Sequence, residues 1–311
     1  MLRNTKSRIL GGAVAVIAAV AMVGCSSSNP TAPPSSGSVA PASGTVVVGS
    51  AQFPENEIIA QIYAQALTAN GITVETKLSI GQRDVYLAAL QDGSINLIPE
   101  YSGNLLQFYD PKTTATSSDE VVAALGDALP SGFEVLDPAK AEDKDSYNVT
   151  QKFSTENNVT SLADLAGLGI PLKVGGNPEL GERPYGIPGL KDIYGVKDVT
   201  LVPISDSGGP LTVNALVDGT VDLADIYSTT PAITQNKFVT LADPKNMILA
   251  QNVVPLISSA AATDEVKAVL NKISANLTTA ELLAMNELNQ GDKKESPETI
   301  AKDWLEQKKL F

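Results

Sequence analysis

Two tyrosines at matching positions of an internal repeat are the residues best placed to bind a ligand. Residues 89–102 read A-L-Q-D-G-S-I-N-L-I-P-E-Y-S and residues 215–228 read A-L-V-D-G-T-V-D-L-A-D-I-Y-S, with seven identities at an offset of 126. Each copy predicts a helix end, a glycine stop and a short buried strand that leads to Tyr101 or Tyr227. Ligands bind beyond the carboxyl ends of strands in open α/β sheets, so we expect the two rings to face one cleft from opposite walls. The alternative is that any α/β protein repeats such units.

The sequence offers few of the side chains that catalysis usually needs. It contains no histidine, and its single cysteine is Cys25. The commonest general base, the commonest metal ligand and a thiol nucleophile in the folded domain are therefore all missing. The chain also has no G-x-x-x-x-G-K-[ST], no G-x-S-x-G and no cluster with metal-ligand spacing. We predict no catalytic residue, no cofactor and no metal, while Ser/Lys or paired-carboxylate chemistry remains open.

The N-terminus predicts an export signal and a lipid anchor. Residues 1–24 join a basic start to an apolar run that is too short to span a bilayer, and M-V-G precedes Cys25. This pattern looks like a bacterial lipobox, in which Cys25 becomes the lipidated first residue. Residues 25–44 then form a Ser-, Pro-, Ala- and Gly-rich tether. The alternative is an ordinary secretory signal followed by a free cysteine.

Charge and length narrow the possible partners and the number of lobes. The formal charge is -13, and loss of the three basic residues of the signal would make it -16. So acidic a chain is not expected to bind nucleic acid, and it mildly favours cationic ligands. The 267 residues after the tether suit one large domain or two of about 130, and the repeat offset favours two.

The alternation of strand and helix patterns predicts an α/β fold with two lobes. The pattern starts afresh near residue 147, and a long apolar stretch near residue 250 is suited to crossing back. We therefore assign residues 45–146 plus 252–311 to a discontinuous first lobe and residues 147–251 to a continuous second lobe. Three predicted C-terminal helices would cover the first lobe: 264–276, 278–289 and 297–307.

Several motifs along the chain resemble those of one family. V-G-S-A-Q-F-P-E-N-E-I, E-Y-S-G-N, G-E-R-P-Y-G-I-P-G-L-K-D-I-Y-G, D-I-Y-S-T and M-N-E-L-N are similar to segments of the periplasmic or lipid-anchored substrate-binding proteins of ABC importers for glycine betaine, choline and related osmoprotectants. The similarity runs from about residue 46 to residue 310. It implies a bilobal, type II periplasmic-binding-protein-like fold with two crossovers. It also implies a monomer outside the cytoplasm that delivers a small solute to a membrane permease driven by a separate ATPase.

The resemblance also assigns roles within the cleft. Tyr101, Tyr147 and Tyr227 match positions of an aromatic cage, and Arg183 matches the arginine that holds a ligand carboxylate. Asn104 falls where the family often places a threonine donor. Aromatic faces suit a quaternary ammonium because this cation has no N–H to donate and is attracted by the ring quadrupole.

Three departures from the family pattern bear on the ligand. Ala51 stands where some relatives carry lysine, Tyr185 replaces a common acidic residue, and Gln251 replaces a tyrosine near the return crossover. These changes favour choline-like, bulkier or planar polar ligands that stack on Tyr185 and bond to Gln52, Asn104 and Gln251.

The remaining candidates have competing structural interpretations. Thr229 follows the second tyrosine of the repeat, and Tyr86 could line the cleft or fill the core. Tyr147 could instead cap a strand, Tyr185 could be a surface ring, and Arg183 could form only a solvated ion pair. Tyr63, Tyr109, Tyr194 and Trp304 are expected in packing roles.

The leading hypothesis is a non-enzymatic, lipid-anchored solute receptor for a quaternary-ammonium compound. One alternative keeps the receptor but gives it an aromatic or polyhydroxy ligand. Another is a cell-envelope lipoprotein enzyme or scaffold that uses paired carboxylates.

Overall fold

The structure, a computed structural model, describes residues 44–310. The predicted signal peptide, the lipidation site Cys25 and the tether as far as residue 43 lie outside the described residues. Among the helices of the described part, none combines the length and the apolar character that a membrane span requires.

The described chain alternates strands and helices. Its first half contains β1 (Val46–Gly49), α1 (Pro54–Ala69), β2 (Val74–Lys77), α2 (Arg83–Gln91), β3 (Leu97–Tyr101), α3 (Ser102–Tyr109), α4 (Ser118–Ala128), β4 (Phe133–Val135), β5 (Tyr147–Val149) and α5 (Gln151–Asn157). Two short 3-10 helices, Leu162–Gly167 and Pro178–Gly181, flank β6 (Leu172–Gly176). The rest contains α6 (Ile187–Asp192), β7 (Val199–Pro203), α7 (Pro210–Val217), β8 (Leu223–Asp225), α8 (Ala232–Gln235), β9 (Val239–Thr240), β10 (Val253–Ser258), α9 (Asp264–Ser274), α10 (Thr279–Gln290) and α11 (Pro297–Lys308).

The strands form two five-stranded sheets with the same pattern. One sheet has the order β2-β1-β3-β10-β4 and the other the order β7-β6-β8-β5-β9. In each sheet three strands are parallel, and the fourth strand runs antiparallel to its neighbours. That antiparallel strand is the first one after the chain arrives from the other sheet, β5 in one case and β10 in the other. The fold is therefore bilobal, mixed α/β and of the periplasmic-binding-protein type II, as predicted.

Two crossover segments join the lobes and pair with each other. They lie between β4 and β5 and between β9 and β10, and a β-bridge links Glu142 to Asn252. The Asp143 N–H also donates to the Gln251 carbonyl at 3.2 Å. The strands of each sheet come from the segments assigned to each lobe, while the lobe boundaries themselves, 45–146 plus 252–311 and 147–251, remain a prediction.

The two copies of the repeat have the same local structure. Gly93 and Gly219 follow α2 and α7 with φ values of +76° and +78°, a region that favours glycine. Asp92 and Asp218 each accept a hydrogen bond from the backbone N–H two residues later, at 2.8 and 2.9 Å. Both copies then enter the central strand of their sheet. The prediction of duplicated helix-Gly-strand units is therefore confirmed.

The first lobe is built around α1, which begins near the cleft. Pro54 is the first residue of α1, a position at which the backbone N–H has no acceptor within the helix. Glu55 and Glu57 lie in the first turn, at the positive end of the helix dipole. The C-terminal helices α9, α10 and α11 pack against α1, as expected. Tyr63 and Trp304 are buried in this core, so the prediction that they pack is confirmed.

Candidate functional site

A cavity of about 50 Å³ lies between the lobes at the carboxyl ends of the central strands. The first lobe contributes the β1–α1 loop, the start of α2 and the β3–α3 junction. The second lobe contributes the loops after β6 and β8, and the first crossover completes the wall. The lining residues are Phe53, Gln82, Arg83, Tyr86, Tyr101, Asn104, Asp143, Asp145, Asn177, Glu179, Leu180, Arg183, Tyr185 and Tyr227.

Tyr101 and Tyr227 line this cavity, and Phe53 lies between their rings. The ring centroids of Phe53 and Tyr101 are 5.9 Å apart with an interplanar angle of 34°. Phe53 contacts Tyr227 edge-on at 5.2 Å and 68°. These distances are typical of favourable aromatic pairs. The two tyrosines of the repeat therefore belong to one aromatic group that spans both lobes and has Phe53 at its centre.

Asn104 is held in place by the second crossover. Its backbone N–H donates to Gln251 Oε1 at 2.9 Å, and its side-chain oxygen accepts from Gln251 Nε2 at 2.5 Å. Its amide nitrogen donates to Asp145 Oδ2 at 2.5 Å. Gly103 permits this approach, because a Cβ there would lie 2.6 Å from the Ala250 carbonyl oxygen. Asn104 thus lines the cavity, whereas Gln251 is fully buried behind it.

Four buried carboxyl groups, apart from Glu100, lie in or beside the cavity. Asp143 and Asp145 line it, Glu55 lines the neighbouring cavity, and Asp225 is buried at the end of β8. Burial raises the pKa of all four, because the charged form loses water. The charge of Glu55 further raises the pKa of Asp143, and Asp145 further raises the pKa of Asp225. Within residues 44–310 none of the four forms an ion pair with lysine or arginine.

Glu55 connects the two lobes through hydrogen bonds. It accepts from the Tyr101 hydroxyl at 2.8 Å, the Thr229 hydroxyl at 2.5 Å and Asn286 Nδ2 at 2.7 Å. Asn286 also donates to the Thr229 hydroxyl and carbonyl oxygens, at 3.0 and 3.2 Å. Thr229 is thus a buried link between lobes, and it lines a neighbouring cavity and not the one that Tyr185 lines.

The Arg83 guanidinium is neutralised inside the first lobe. Nε and Nη2 donate to the two carboxylate oxygens of Glu100 at 2.9 and 3.0 Å. The Tyr86 hydroxyl and the Tyr101 backbone N–H also donate to Glu100, at 2.7 and 2.8 Å. Tyr86 lines the cavity, but its hydroxyl is already hydrogen-bonded to Glu100. This arrangement supports the wall of the cleft and brings no uncompensated positive charge to it.

Arg183 joins the lobes at the edge of the cavity. Its Nη2 donates to Asp84 Oδ2 at 2.8 Å, and its guanidinium lies 5.1 Å from the ring centroid of Phe108. Both partners belong to the first lobe, whereas Arg183 belongs to the second. Arg183 also lines the cavity. A ligand carboxylate in the cavity could therefore compete with Asp84 for the Arg183 guanidinium.

Tyr185 and Tyr147 occupy different positions. Tyr185 is buried and lines the cavity. Tyr147 is buried in the second core, where its hydroxyl donates to the Tyr185 carbonyl oxygen at 2.8 Å. Gln52 is exposed and is not among the residues that line the cavity. Tyr147, Gln52, Thr229 and Gln251 thus lie outside the lining, and their contact with ligand remains a prediction.

Sequence reasoning did not select several of the lining residues. Phe53 comes directly after Gln52 in the loop that follows β1. The position beyond a strand end, which made Gln52 a candidate, therefore also made Phe53 one. Asp143 and Asp145 precede β5 in a short acidic segment of the crossover. The other lining residues that were missed had no local signal of their own: Gln82, Arg83, Asn177, Glu179 and Leu180.

A second cavity of about 390 Å³ adjoins the first. Phe53, Asp143 and Tyr227 line both. Its other walls come from α10 in the first lobe and from the starts of α7 and α8 in the second. The aromatic group therefore separates a small polar compartment from a larger one.

Chemically, this cleft is a binding site. It combines aromatic faces, amides and buried carboxyls, and residues 44–310 contain no group of three side chains that could hold a metal ion. Two similar lobes, two paired crossovers and a cleft of this composition define a bilobal solute-binding receptor.

Comparisons with known proteins agree with this class. Residues 44–307 match the family described as the substrate binding domain of ABC-type glycine betaine transport systems. The chain is 28% identical over 218 residues to the glycine betaine-binding protein YehZ of Escherichia coli K12, covering 66% of this chain and 71% of the relative.

A crystal structure of a glycine betaine/carnitine/choline ABC transporter protein superposes with a TM-score of 0.67 at 20% identity, covering 85% of this chain and 99% of the other. A choline binding protein in complex with choline gives 0.63 at 16%, with 86% and 89% coverage. The chain belongs to the family of substrate-binding domains of ABC-type glycine betaine transport systems.

Proposed function

We propose that this protein is the extracytoplasmic receptor of an ABC importer and that it captures a quaternary-ammonium osmoprotectant between its lobes. The observation that carries this proposal is the group of Phe53, Tyr101 and Tyr227, which places three rings from two lobes beside carboxyls that lack a cationic partner. The names of the relatives, which include glycine betaine and choline, support the same ligand class.

The aromatic group and the carboxyls act on a quaternary ammonium in complementary ways. Each ring face contributes about 0.5–2 kcal/mol, and the upper value applies where water is excluded. Asp143 and Asp145 place carboxyl oxygens in the wall of the cavity, and within residues 44–310 neither forms an ion pair with lysine or arginine, so a cation beside them would favour their charged form. A methylated cation needs no hydrogen bond from the protein, so aromatic faces and nearby charge are sufficient to hold it.

Capture couples to closure because the cavity is formed by both lobes. The Arg183–Asp84 ion pair and the Glu55–Thr229 hydrogen bond both cross the cleft. A ligand that bridges the lobes stabilises the closed form, and that form is presented to the permease. The protein acts as a monomer in this scheme, performs no chemical step on the solute, and relies on a permease and a separate ATPase for transport.

Isothermal titration calorimetry with glycine betaine, choline, carnitine and proline betaine tests the ligand class. We expect at least one of them to bind to the purified domain, residues 44–311. Calorimetry is preferable to tryptophan fluorescence because Trp304, the single tryptophan, is buried in the helical layer of the first lobe. Absence of binding by all four compounds would reject the quaternary-ammonium assignment and leave the fold and family unaffected.

A second candidate ligand is a larger aromatic or polyhydroxy compound. The observation that favours it is the 390 Å³ cavity beside the aromatic group, together with Tyr185 in the lining of the smaller one. A thermal-shift screen separates the two candidates, because a ligand at a hundred times its dissociation constant adds about 2.7 kcal/mol to stability. The second candidate requires such compounds to raise the melting temperature where betaines and choline do not.

Membrane attachment through Cys25 is part of the proposal. The apolar segment and M-V-G that precede Cys25 support it. Cells expressing the full chain are expected to retain the protein in the membrane fraction, and Cys25→Ser is expected to release it. A Cys25→Ser protein that stays with the membrane to the same extent would rule out this anchor.

A further inference from the structure

We propose that the larger cavity of the cleft is a second binding site, which takes a neutral ring compound that carries an N–H or O–H donor. This compound and the solute of the smaller cavity bind at the same time. The site itself is inferred from the walls of the larger cavity. Only its coupling to the solute rests on the proposed function.

The larger cavity is separated from the smaller one by a shared wall. Its volume is about 390 Å³, whereas the smaller cavity measures about 50 Å³. Phe53, Asp143 and Tyr227 line both cavities, and the rings of Phe53 and Tyr227 meet edge-on at 5.2 Å. An occupant of one cavity therefore does not need to displace an occupant of the other.

Apolar side chains from both lobes form much of the wall of the larger cavity. They are three prolines, one aromatic ring and two small aliphatic residues: Phe53, Pro54, Pro210, Val213, Pro231 and Ala232. An apolar cavity of about 150 Å³ is large enough to bind benzene. A cavity of about 390 Å³ therefore has room for a compound of two fused rings, which these apolar faces would cover.

Asn286, in α10, brings an acceptor without a partner to this wall. Its Nδ2 donates to Glu55 Oε2 at 2.7 Å and to the Thr229 hydroxyl and carbonyl oxygens at 3.0 and 3.2 Å. Because a carbonyl oxygen only accepts, the amide nitrogen must face Thr229, and this fixes the orientation of the amide. Asn286 Oδ1 is buried and accepts no hydrogen bond from the described residues. An acceptor left in this state is costly, so a ligand N–H or O–H that reaches it is favoured.

The charged side chains of the wall favour a neutral compound. The carboxyl groups of Glu55, Asp143 and Asp206 oppose an anion, and Lys294 is the single lysine in the lining. Each of the three carboxyls already accepts hydrogen bonds from hydroxyl, amide or backbone N–H groups of the protein, at 2.5–3.2 Å. A quaternary ammonium group has no N–H to offer Asn286 Oδ1. A neutral ring enters the apolar part of the cavity without the desolvation cost of a charge.

An occupant of the larger cavity favours closure of the lobes, because both lobes form its wall. Asn286 and Glu55 belong to the first lobe, and Thr229, with which both form hydrogen bonds, belongs to the second. A donor on Asn286 Oδ1 extends this group of hydrogen bonds. The solute in the smaller cavity favours the same closed form. Each occupant therefore raises the affinity for the other by the same factor.

Indole and 1-methylindole test the site, because they differ by one methyl group and only indole has an N–H donor. Saturation-transfer difference NMR with the purified protein measures both dissociation constants. We expect indole to bind saturably and about fivefold more tightly than 1-methylindole. Titration calorimetry with choline chloride, in the absence and presence of saturating indole, measures the coupling. Indole should raise the affinity for choline at least about fivefold.

Two phenylalanine substitutions in α7 locate the site. Val213→Phe adds a ring to the wall of the larger cavity and should abolish indole binding. Val217→Phe, one turn further along the same helix at a residue that is 55% exposed, is the matched control and should bind indole as the unmodified protein does. Thermal melting verifies folding. Ala232→Phe, in the wall contributed by α8, decides the location if Val213→Phe does not fold.

The outcomes separate this inference from the proposed function. Absence of saturable indole binding, equal affinities for indole and 1-methylindole, or indole binding retained by both Val213→Phe and Ala232→Phe would each overturn the second site. An affinity for choline that falls in the presence of indole would overturn simultaneous binding, and an unchanged affinity would overturn the coupling. If choline does not bind, the tightest of glycine betaine, carnitine and proline betaine replaces it. If none of the four binds, the proposed function fails, and the indole titrations still decide whether the second site exists.

Discussion

Arg183 in the second lobe donates to Asp84 in the first lobe at 2.8 Å, and the same guanidinium rests on the ring of Phe108. This contact crosses the cleft at the edge of the ligand cavity. Asp84 is largely exposed, so the ion pair alone stabilises the contact between the lobes by at most about 1 kcal/mol. The cation–π contact adds about 0.5–1 kcal/mol at such a site. Together they favour the closed arrangement of the lobes.

Arg183→Gln should therefore weaken ligand binding because the closed form becomes less stable. We expect a loss of about 1 kcal/mol, or roughly fivefold in affinity, for choline. Asp84→Asn should produce a smaller loss, since it leaves the contact with Phe108. Calorimetry of both single variants and the double variant measures the coupling. A substantially larger loss with Arg183→Gln for glycine betaine than for choline would indicate that Arg183 also holds the ligand carboxylate.

Phe53→Leu should reduce the affinity for a quaternary ammonium by about 1 kcal/mol or more, because it removes the ring between Tyr101 and Tyr227. The measurement is the dissociation constant from calorimetry. Phe153→Leu is the matched control, since Phe153 packs partly buried against the second core. Equal affinities of Phe53→Leu and the unmodified domain would mean that the ring does not contact the ligand.

Gly103→Ala should destabilise the protein, because its Cβ would lie 2.6 Å from the Ala250 carbonyl oxygen and 2.8 Å from the Leu249 Cβ. Overpacking of this kind costs about 1–3 kcal/mol. It should also displace Asn104 and weaken ligand binding. Urea denaturation gives the free energy of unfolding.

Gly126→Ala is the control for this substitution. Gly126 lies within α4, where an added Cβ would have no atom within 4 Å. Alanine is more favourable than glycine in a helix by about 0.8–1.0 kcal/mol, so this variant should be more stable than the unmodified protein. A Gly103→Ala protein that is as stable as Gly126→Ala would contradict the close approach of α3 to the second crossover.

The ligand-free domain should become more stable as the pH falls from 8 towards 5. The buried carboxyls have a raised native pKa, so they bind protons more tightly in the folded than in the unfolded chain. Their stabilising contribution is complete below the ordinary carboxyl pKa and is lost as the pH rises through the raised values. Melting temperatures across this range provide the measurement.

The substitution Asp225→Asn should flatten this pH dependence and raise the melting temperature at pH 8. Below about pH 4 stability should decline again, because exposed carboxylates with a lowered pKa lose the charge that accepts their local hydrogen bonds: Asp92, Glu120, Asp218 and Glu265. A melting temperature that rises steadily from pH 5 to pH 8 would contradict the buried acidic cluster.

Much of the fold could be predicted because its determinants are local. The repeat carries helix stops at Gly93 and Gly219, whose positive φ is a property of a few neighbouring residues. Burial of Tyr63 and Trp304 follows from helical periodicity. The positions of Tyr101 and Tyr227 near strand ends follow from the same short patterns. Each of these features depends on residues that are close neighbours in the sequence, so it can be recognised without knowing the tertiary structure.

The site could be predicted only in part because its contacts join distant segments. Gln251 and Asn104 are 147 residues apart, yet they form two hydrogen bonds. Arg183 could be proposed for the cleft, but its partner Asp84 lies 99 residues away in the other lobe. No local pattern indicates such a pair.

By itself the sequence determined the two duplicated α/β units, the absence of histidine and the placement of one tyrosine at the end of each central strand. Only the tertiary structure decided that Phe53 lies between these tyrosines and that Asp145 lines the cavity next to Ser146, whose backbone N–H donates to Asp225. The physical reason is that periodicity and turn chemistry act over a few residues. The charge and shape of the cleft depend on how two lobes and two crossovers close on each other.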